Sequence, residues 1–361
     1  MNKKNICKDK LFINGRFFTQ KTTGVQRYAM EITKELDKLL LCECDLVIPS
    51  DSNIDIKFSK LKVVVLKGKG NYFWEQVLLP RFINKQNGVL LNFCNLAPFF
   101  CKRTFVTIHD VAFYDTPHAF PLLVRFFYKL NTKICAKKSL HVFTVSDFSK
   151  RRIIERLGVS KEKITVVTSG VHESFANSNT MPDFINDVII KRGFYFSLGS
   201  SNKNKNLPYI IQAAQNNPEK FFLISGDSNK LFKKKKKRNL PGNLVITGYL
   251  NDSQISWLYK NCDAFLFPSL YEGFGLPPLE AISCGCQKII LSDIPPFHEI
   301  YADSANFVSP YFYDKKEFLN CCKQIDNSVK TSILNRYSWA VSASVIYQII
   351  KEETCCENIV G

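Results

Sequence analysis

AFLFPSLYEGFGLPPLEAISCGCQKIILSD, residues Ala264–Asp293, joins an apolar run, a glycine-rich turn, a helical stretch that begins with prolines, and a second apolar run. AFLFPS and KIILSD read as buried strands. LPPLEAIS reads as the helix between them, because early helical positions need no backbone donor and so tolerate Pro277 and Pro278. A strand, loop, helix and strand in this order make the unit from which helix-covered parallel sheets are built. YEGFG then lies at the carboxyl end of a strand, where open α/β sheets bind ligands. Glu272 sits on that loop. Glu280 is expected in the first turn of the helix, with seven residues between the two. Gly273 and Gly275 let the backbone approach a ligand closely. A helix N-terminus favours phosphate, whereas ionised carboxylates accept hydrogen bonds from vicinal diols. A ligand with phosphates in its middle and diols at both ends, a nucleotide sugar, meets both demands. Taken singly, each glutamate reads equally well as a helix-dipole complement or a solvated charge.

The same alternation extends along the chain. Strands are expected at LFINGRFF, CDLVIPS, KVVVLKG, GVLLNFCN, RTFVTIHD, HVFTVSDFS and ITVVTSGV in the first half. In the second half they are expected at FYFSLGS, KFFLISGD, NLVITGY, AFLFPS, KIILSD and NFVSP. A polar stretch at 172–188 interrupts the pattern and marks a domain boundary. The expectation is an α/β protein of two Rossmann-like domains, 1–180 and 181–335, whose parallel sheets face each other across a cleft. Residues 336–361 are expected to form a C-terminal helix. Residues 24–40 read as an amphipathic helix with Val25, Tyr28, Ile32, Leu36 and Leu39 on one face and Gln26, Glu31, Lys34, Glu35 and Lys38 on another. TTG before it is expected to make a tight turn with free N–H groups.

A length of 361 residues suits two domains, and 45% hydrophobic residues give each a core. The net charge of +17 favours anionic partners. Thirteen scattered cysteines lack zinc-site spacing and read as reduced thiols, hence a cytoplasmic protein. No apolar run is long enough to span a bilayer. KKKKKR, Lys233–Arg238, reads first as a solvated loop and second as a contact with an anionic membrane on the inner face of the cytoplasmic membrane. It has no interleaved aromatics, so a nucleic-acid partner is not expected. The absence of any D-x-D triplet argues against a cation-held diphosphate; no metal and no cofactor are expected. His109 ends an apolar strand, and Lys205 follows a strand-end glycine loop. Local hydrogen bonding and solvation are their plainer readings, ligand contact the sharper one.

The E-x7-E arrangement of Glu272 and Glu280 resembles that of retaining glycosyltransferases of family 4, which have the GT-B fold. The likeness covers most of the chain. TTGVQRYAMEI resembles the family's glycine loop and first helix. YFWEQVLLP and LLNFCNLAPFF are similar to segments of a bacterial polysaccharide-assembly subgroup that includes O-antigen mannosyltransferases. TIHDVAFYDTPHAF, TVSDFSKRRI, GSSNKNKNLPYII and the Ala264–Asp293 region follow in the family's order. RYSWAVSASVIYQII resembles its C-terminal helix, which crosses back to the first domain. The resemblance implies transfer of a hexose from a nucleotide sugar, with retention, to a growing, polyprenyl-diphosphate-linked surface glycan such as O-antigen or capsule. His109 would lie by the reacting sugar, and Glu272 would hold its hydroxyls. Glu280 would bind the ribose diol, and Glu299 would lie near the ribose or base. Lys205 would contact the diphosphate. Gly24, Gly199, Ser200, Gly273, Phe274, Gly275 and Leu276 would form the loops around the donor. The chain departs from many relatives at Ser200 and Asn204, where they carry arginine. The donor sugar stays open. So do a sugar-nucleotide epimerase of the same fold and a non-catalytic sugar-nucleotide-binding protein.

Overall fold

The computed structural model describes residues 9–40, 43–171, 179–199, 202–226 and 240–355. Ser200 and the Lys233–Arg238 run lie outside them. The described residues of Met1–Ser169 and Ser338–Gly361 form one unit and those of Gly170–Tyr337 a second. These breaks stand at 169/170 and 337/338, against the expected 180/181 and 335/336.

In the first unit, β1 (Leu11–Asn14), β2 (Cys44–Pro49), β3 (Lys62–Leu66), β4 (Val89–Asn92), β5 (Thr104–Thr107), β6 (His141–Thr144) and β7 (Ile164–Val166) form a sheet. Its order is β3-β2-β1-β4-β5-β6-β7. Every pair is parallel. Five of these strands are buried along their whole length, because helices cover both faces of such a sheet. The helices are α1 (Gly24–Leu39), α2 (Leu79–Lys85), α3 (Ala112–Asp115), α4 (Leu122–Lys138) and α5 (Asp147–Leu157). β2 and β3 run out to one side of β1 and β4 onward to the other, so the order reverses between β1 and β4.

LFINGRFF is not one strand. β1 stops at Asn14, whose side chain accepts from the Arg16 N–H, and a 3-10 turn follows over Gly15–Thr19. A Cβ at Gly15 would stand 2.8 Å from the Val47 carbonyl oxygen. The connection to α1 is therefore longer than a tight turn, and the Thr23 N–H is not free but donates to Gln26 Oε1. On α1, Glu31 was expected outward but is buried, its carboxylate 2.8 Å from Lys34 Nζ.

In the second unit, β8 (Phe194–Leu198), β9 (Phe221–Ser225), β10 (Leu244–Gly248), β11 (Ala264–Phe267), β12 (Ile289–Ser292) and β13 (Ala305–Val308) are ordered β10-β9-β8-β11-β12-β13. All pairs are again parallel. The covering helices are α6 (Asp187–Arg192), α7 (Leu207–Asn216), α8 (Asp252–Asn261), α9 (Leu276–Ser283), α10 (Pro295–Tyr301), α11 (Lys315–Leu319) and α12 (Asn327–Arg336). Here the order reverses between β8 and β11. The last helix, α13 (Trp339–Cys355), belongs to the first unit and packs on α1. Its Trp339 ring meets Tyr28 edge-on at 5.6 Å, and Ser342 Oγ donates to the Thr168 carbonyl at 2.7 Å.

The described cysteines from Cys44 to Cys322 are free thiols. Among the described residues no helix is long and apolar enough to cross a membrane.

Candidate active site

In a doubly wound sheet the loops that leave two adjacent strands in opposite directions open a crevice at the strands' carboxyl ends. In the second unit those are the loops after β8 and β11, and they carry most of the residues singled out in the sequence. Gly199 ends β8, its N–H donating to the Ser225 carbonyl at 2.8 Å. A Cβ there would stand 2.4 Å from Ile224 Cγ2, so the close approach of β9 requires glycine. A 3-10 turn over Lys203–Lys205 follows, capped by Asn202, whose side chain accepts from the Asn204 N–H at 2.9 Å.

Two clamps then hold Lys205 in place. The Leu270 N–H, on the loop after β11, donates to the Asn204 carbonyl at 2.8 Å. Asn206 adopts the left-handed conformation at φ 53°. Its amide donates to the Pro268 carbonyl at 3.0 Å and the Pro310 carbonyl at 2.7 Å, tying three strand-end loops together. With both neighbours fixed, Lys205 Nζ lies 2.6 Å from Glu272 Oε1 and 4.4 Å from the centre of the Phe267 ring. The two expected donor contacts are thus joined in a partly buried ion pair.

Gly275 precedes α9 at φ +90°, where a Cβ would stand 2.5 Å from Phe297 Cε1. No side chain of the loop caps α9. The Tyr301 hydroxyl, from α10, instead braces this helix start: it donates to the Gly275 carbonyl at 2.5 Å and faces the Leu279 N–H. Burial, then the nearby Tyr337, Glu280 and Glu272, push this phenol's pKa well up, so it stays a neutral donor. Glu280 lies in the second turn of α9 rather than the first, since the helix begins at Leu276. It is 7% exposed, and its carboxylate accepts from the Tyr259 hydroxyl at 3.4 Å. A dipole role confined to the first turn does not describe it. Phe274 and Leu276 are buried, Phe274 edge-on to Tyr337 at 5.3 Å, so their side chains serve packing. Glu299, on α10, lines a surface hollow of about 330 Å³ with Asp303, Ser332 and Arg336.

The first unit holds His109 just past β5. Its ring is buried; Nε2 lies 3.0 Å from the Phe93 carbonyl, which can only accept, so Nε2 carries the proton. The backbone N–H donates to Asn95 Oδ1 at 2.7 Å and the carbonyl accepts from Ser149 Oγ at 2.9 Å. Burial brings the imidazole's pKa down to about 4, leaving it neutral near pH 7. Gly24 is the first residue of α1 and is exposed.

A cluster that the sequence reading passed over sits where this sheet's order reverses. Asn14, at the end of β1, donates to Asn92 Oδ1 at 2.7 Å, at the end of β4, and to Glu75 Oε1 at 2.9 Å. Arg16 Nη1 donates to Glu75 Oε2 at 2.7 Å, and Arg16 Nε to the Gly70 carbonyl at 3.0 Å. Glu75 lies in a π-helical turn, Trp74–Leu78, a distortion frequent at functional sites. Its signal was the FWEQ segment, noted for resemblance and not for its charge. Among the described residues no group of three or more His, Cys, Asp or Glu is placed to hold a metal ion.

A family model for "Glycosyltransferase Family 4" matches residues 22–175, and one for "Glycosyl transferases group 1" matches 184–322. The chain belongs to the family 4 glycosyltransferases. The chain is 26% identical over 226 residues to the O-antigen chain mannosyltransferase RfbU of Salmonella typhimurium, covering 61% of the chain and 60% of RfbU. It is 32% identical over 198 residues to the UDP-Gal:alpha-D-GlcNAc-diphosphoundecaprenol alpha-1,3-galactosyltransferase of Escherichia coli, covering 51% and 50%. The matches thus span about half to three fifths of these relatives' lengths. Sucrose-phosphate synthase from Thermosynechococcus elongatus superposes with a TM-score of 0.71 at 14% identity, over 95% of this chain and 98% of that one. The fold of the chain is therefore GT-B, as its motifs implied.

Proposed function

We propose that the chain transfers a hexose, with mannose the first candidate, from a nucleotide sugar to a growing lipid-linked glycan of O-antigen or capsule type, with retention of configuration. The observation that carries the reading is the Lys205–Glu272 pair, held at the reversal between β8 and β11 with Glu280 buried on the helix behind it. A bound donor exchanges this pair's partners: its diphosphate takes Lys205, and the sugar's hydroxyls take Glu272. Glu280 accepts from the ribose diol. As the bond between the anomeric carbon and the phosphate oxygen breaks, negative charge grows on the diphosphate. Lys205 and the strand-end N–H groups stabilise it. The acceptor hydroxyl attacks the anomeric carbon from the leaving-group face, and its proton passes to the departing phosphate oxygen. His109, neutral, orients a hydroxyl and carries no proton in the step. The reaction is proposed to run without a metal, at the inner face of the cytoplasmic membrane. The two relatives, a mannosyltransferase and a galactosyltransferase named for a diphosphoundecaprenol-linked sugar, support this substrate class.

Two measurements test the reading. Thermal unfolding with a panel of GDP-, UDP- and dTDP-sugars should show protection by one nucleotide family, with GDP-mannose tried first. Glu272→Gln and Glu280→Gln, each still folded, should lower kcat/KM for transfer by about a hundredfold or more, the scale of a lost transition-state hydrogen bond. Unchanged turnover in both would reject the assignment, and release of free sugar product without acceptor would favour the epimerase.

A further inference from the structure

Helix α4 turns its larger apolar side chains outward. Asn131 and Thr132 are fully buried: Asn131 Nδ2 donates to the Ala97 carbonyl at 2.8 Å, and Thr132 Oγ1 to the Tyr128 carbonyl at 2.6 Å. Leu122, Leu123, Phe126 and Leu130 are exposed instead, at 71%, 86%, 68% and 45%. Positions 123, 126 and 130 follow the helical repeat and form one outward stripe. Continued by the same repeat, the stripe reaches Lys133 and Lys137, both exposed. α4 contains no acidic residue. Burial of apolar surface is the main gain available to a helix. Here the inward positions are shared between hydrogen-bonded Asn131 and Thr132 and the buried Cys135 and Ala136, while the larger apolar side chains are left to water.

Neighbouring loops enlarge that face. Tyr72 and Phe99 pack on Phe127 of α4, with ring centres 5.7 and 6.1 Å away. Their sequence neighbours Phe73 and Phe100 are 61% and 75% exposed. The Arg16 guanidinium sits 4.7 Å over the Tyr72 ring. A contiguous apolar surface of this kind marks a binding face.

We propose that the outward face of α4 docks on an anionic phospholipid bilayer, with Leu123, Phe126 and Leu130 in the boundary between headgroups and acyl chains and Lys133 and Lys137 on lipid phosphates. Charge decides between occupants. Lysines that continue an apolar stripe match an anionic surface. Two copies of the same face, each basic and without acids, are not self-complementary. The proposal rests on the lipid-linked acceptor proposed above, which a membrane-seated enzyme would meet in its own bilayer.

The test is sedimentation of the full chain with vesicles of phosphatidylcholine alone or with phosphatidylglycerol added. The wild type should pellet only with the anionic vesicles. Leu123→Gln/Phe126→Gln/Leu130→Gln should lower the partition coefficient about tenfold or more, and Lys133→Gln and Lys137→Gln about fivefold each. All three variants should keep the wild-type turnover on a water-soluble acceptor and the wild-type melting temperature. Phe126→Trp should blue-shift its emission on anionic vesicles, a readout independent of the triple variant's folding. No binding by the wild type, or no blue shift, overturns the proposal while turnover on the soluble acceptor still speaks for the transferase. Vesicle binding without any transfer sinks the transferase reading and leaves the docking face standing. A dimer in light scattering that the triple variant dissociates, with vesicle binding unchanged, replaces the bilayer by a second copy.

Discussion

At the residue scale, Lys205 and Glu272 act as one device. Each neutralises the other until a donor offers a diphosphate to one and hydroxyls to the other. Removing either leaves its partner's charge partly buried and alone. Lys205→Ala and Glu272→Gln should therefore couple in a double-mutant cycle on donor binding by about 1 kcal/mol or more, whereas independent sites would simply add. His109 is held neutral by burial, with a pKa of about 4. His141 is brought down to about 4 by burial, then by Lys163 and Lys150. For both, the folded value lies below the unfolded value near 6.5. Their contribution to stability is complete above pH 6.5 and is lost as pH falls toward 4. His109, fully buried, contributes on the order of 3 kcal/mol to that loss, and His141, less deeply buried, contributes less. Chemical unfolding followed across this window should show the loss, and His109→Gln should flatten it.

At the scale of elements, α9 is the part whose start is braced from elsewhere. Its prolines suit its start, but no side chain of its own loop caps that end. The Tyr301 hydroxyl of α10 braces it, bonding the Gly275 carbonyl and facing the Leu279 N–H. Tyr301→Phe keeps the ring and removes a buried hydrogen bond to the Gly275 carbonyl, which should cost roughly 1–2 kcal/mol in denaturant unfolding. The same change should weaken donor protection, because Gly273, Gly275 and Glu280 are set by that helix start. α13 is the counterpart in the first unit. It buries Trp339, Ile346 and Ile350, and ending the chain at Tyr337 should lower that unit's stability by on the order of 5 kcal/mol. A truncated chain that unfolds like the full one would show that α13 contributes no packing.

At the scale of the molecule, strands and their order differ in how far the chain alone reveals them. Each of the thirteen apolar runs contains a strand, and the continuous burial of the central ones marks parallel sheets. The placing of Glu272 on a strand-end loop follows from local rules: apolar runs, glycine punctuation and proline at a helix start. Periodicity could not show that Glu31 is buried with Lys34 or that β1 ends at Asn14, because neighbours from other parts of the chain decide both. It also could not show the Tyr301 brace, the clamp of Asn206 on three loops, or the Asn14–Arg16–Glu75 cluster, whose partners lie 26 to 104 residues apart. α4 marks the same limit from outside, since its leucines would have been assigned to the core. The sequence by itself determined which residues can carry this chemistry and that they sit at strand ends, because those are properties of short segments. Only the tertiary structure decided which of them meet. A pairing such as Lys205 with Glu272 is set by the order of strands in the sheet, and that order is a balance of burial over the whole unit.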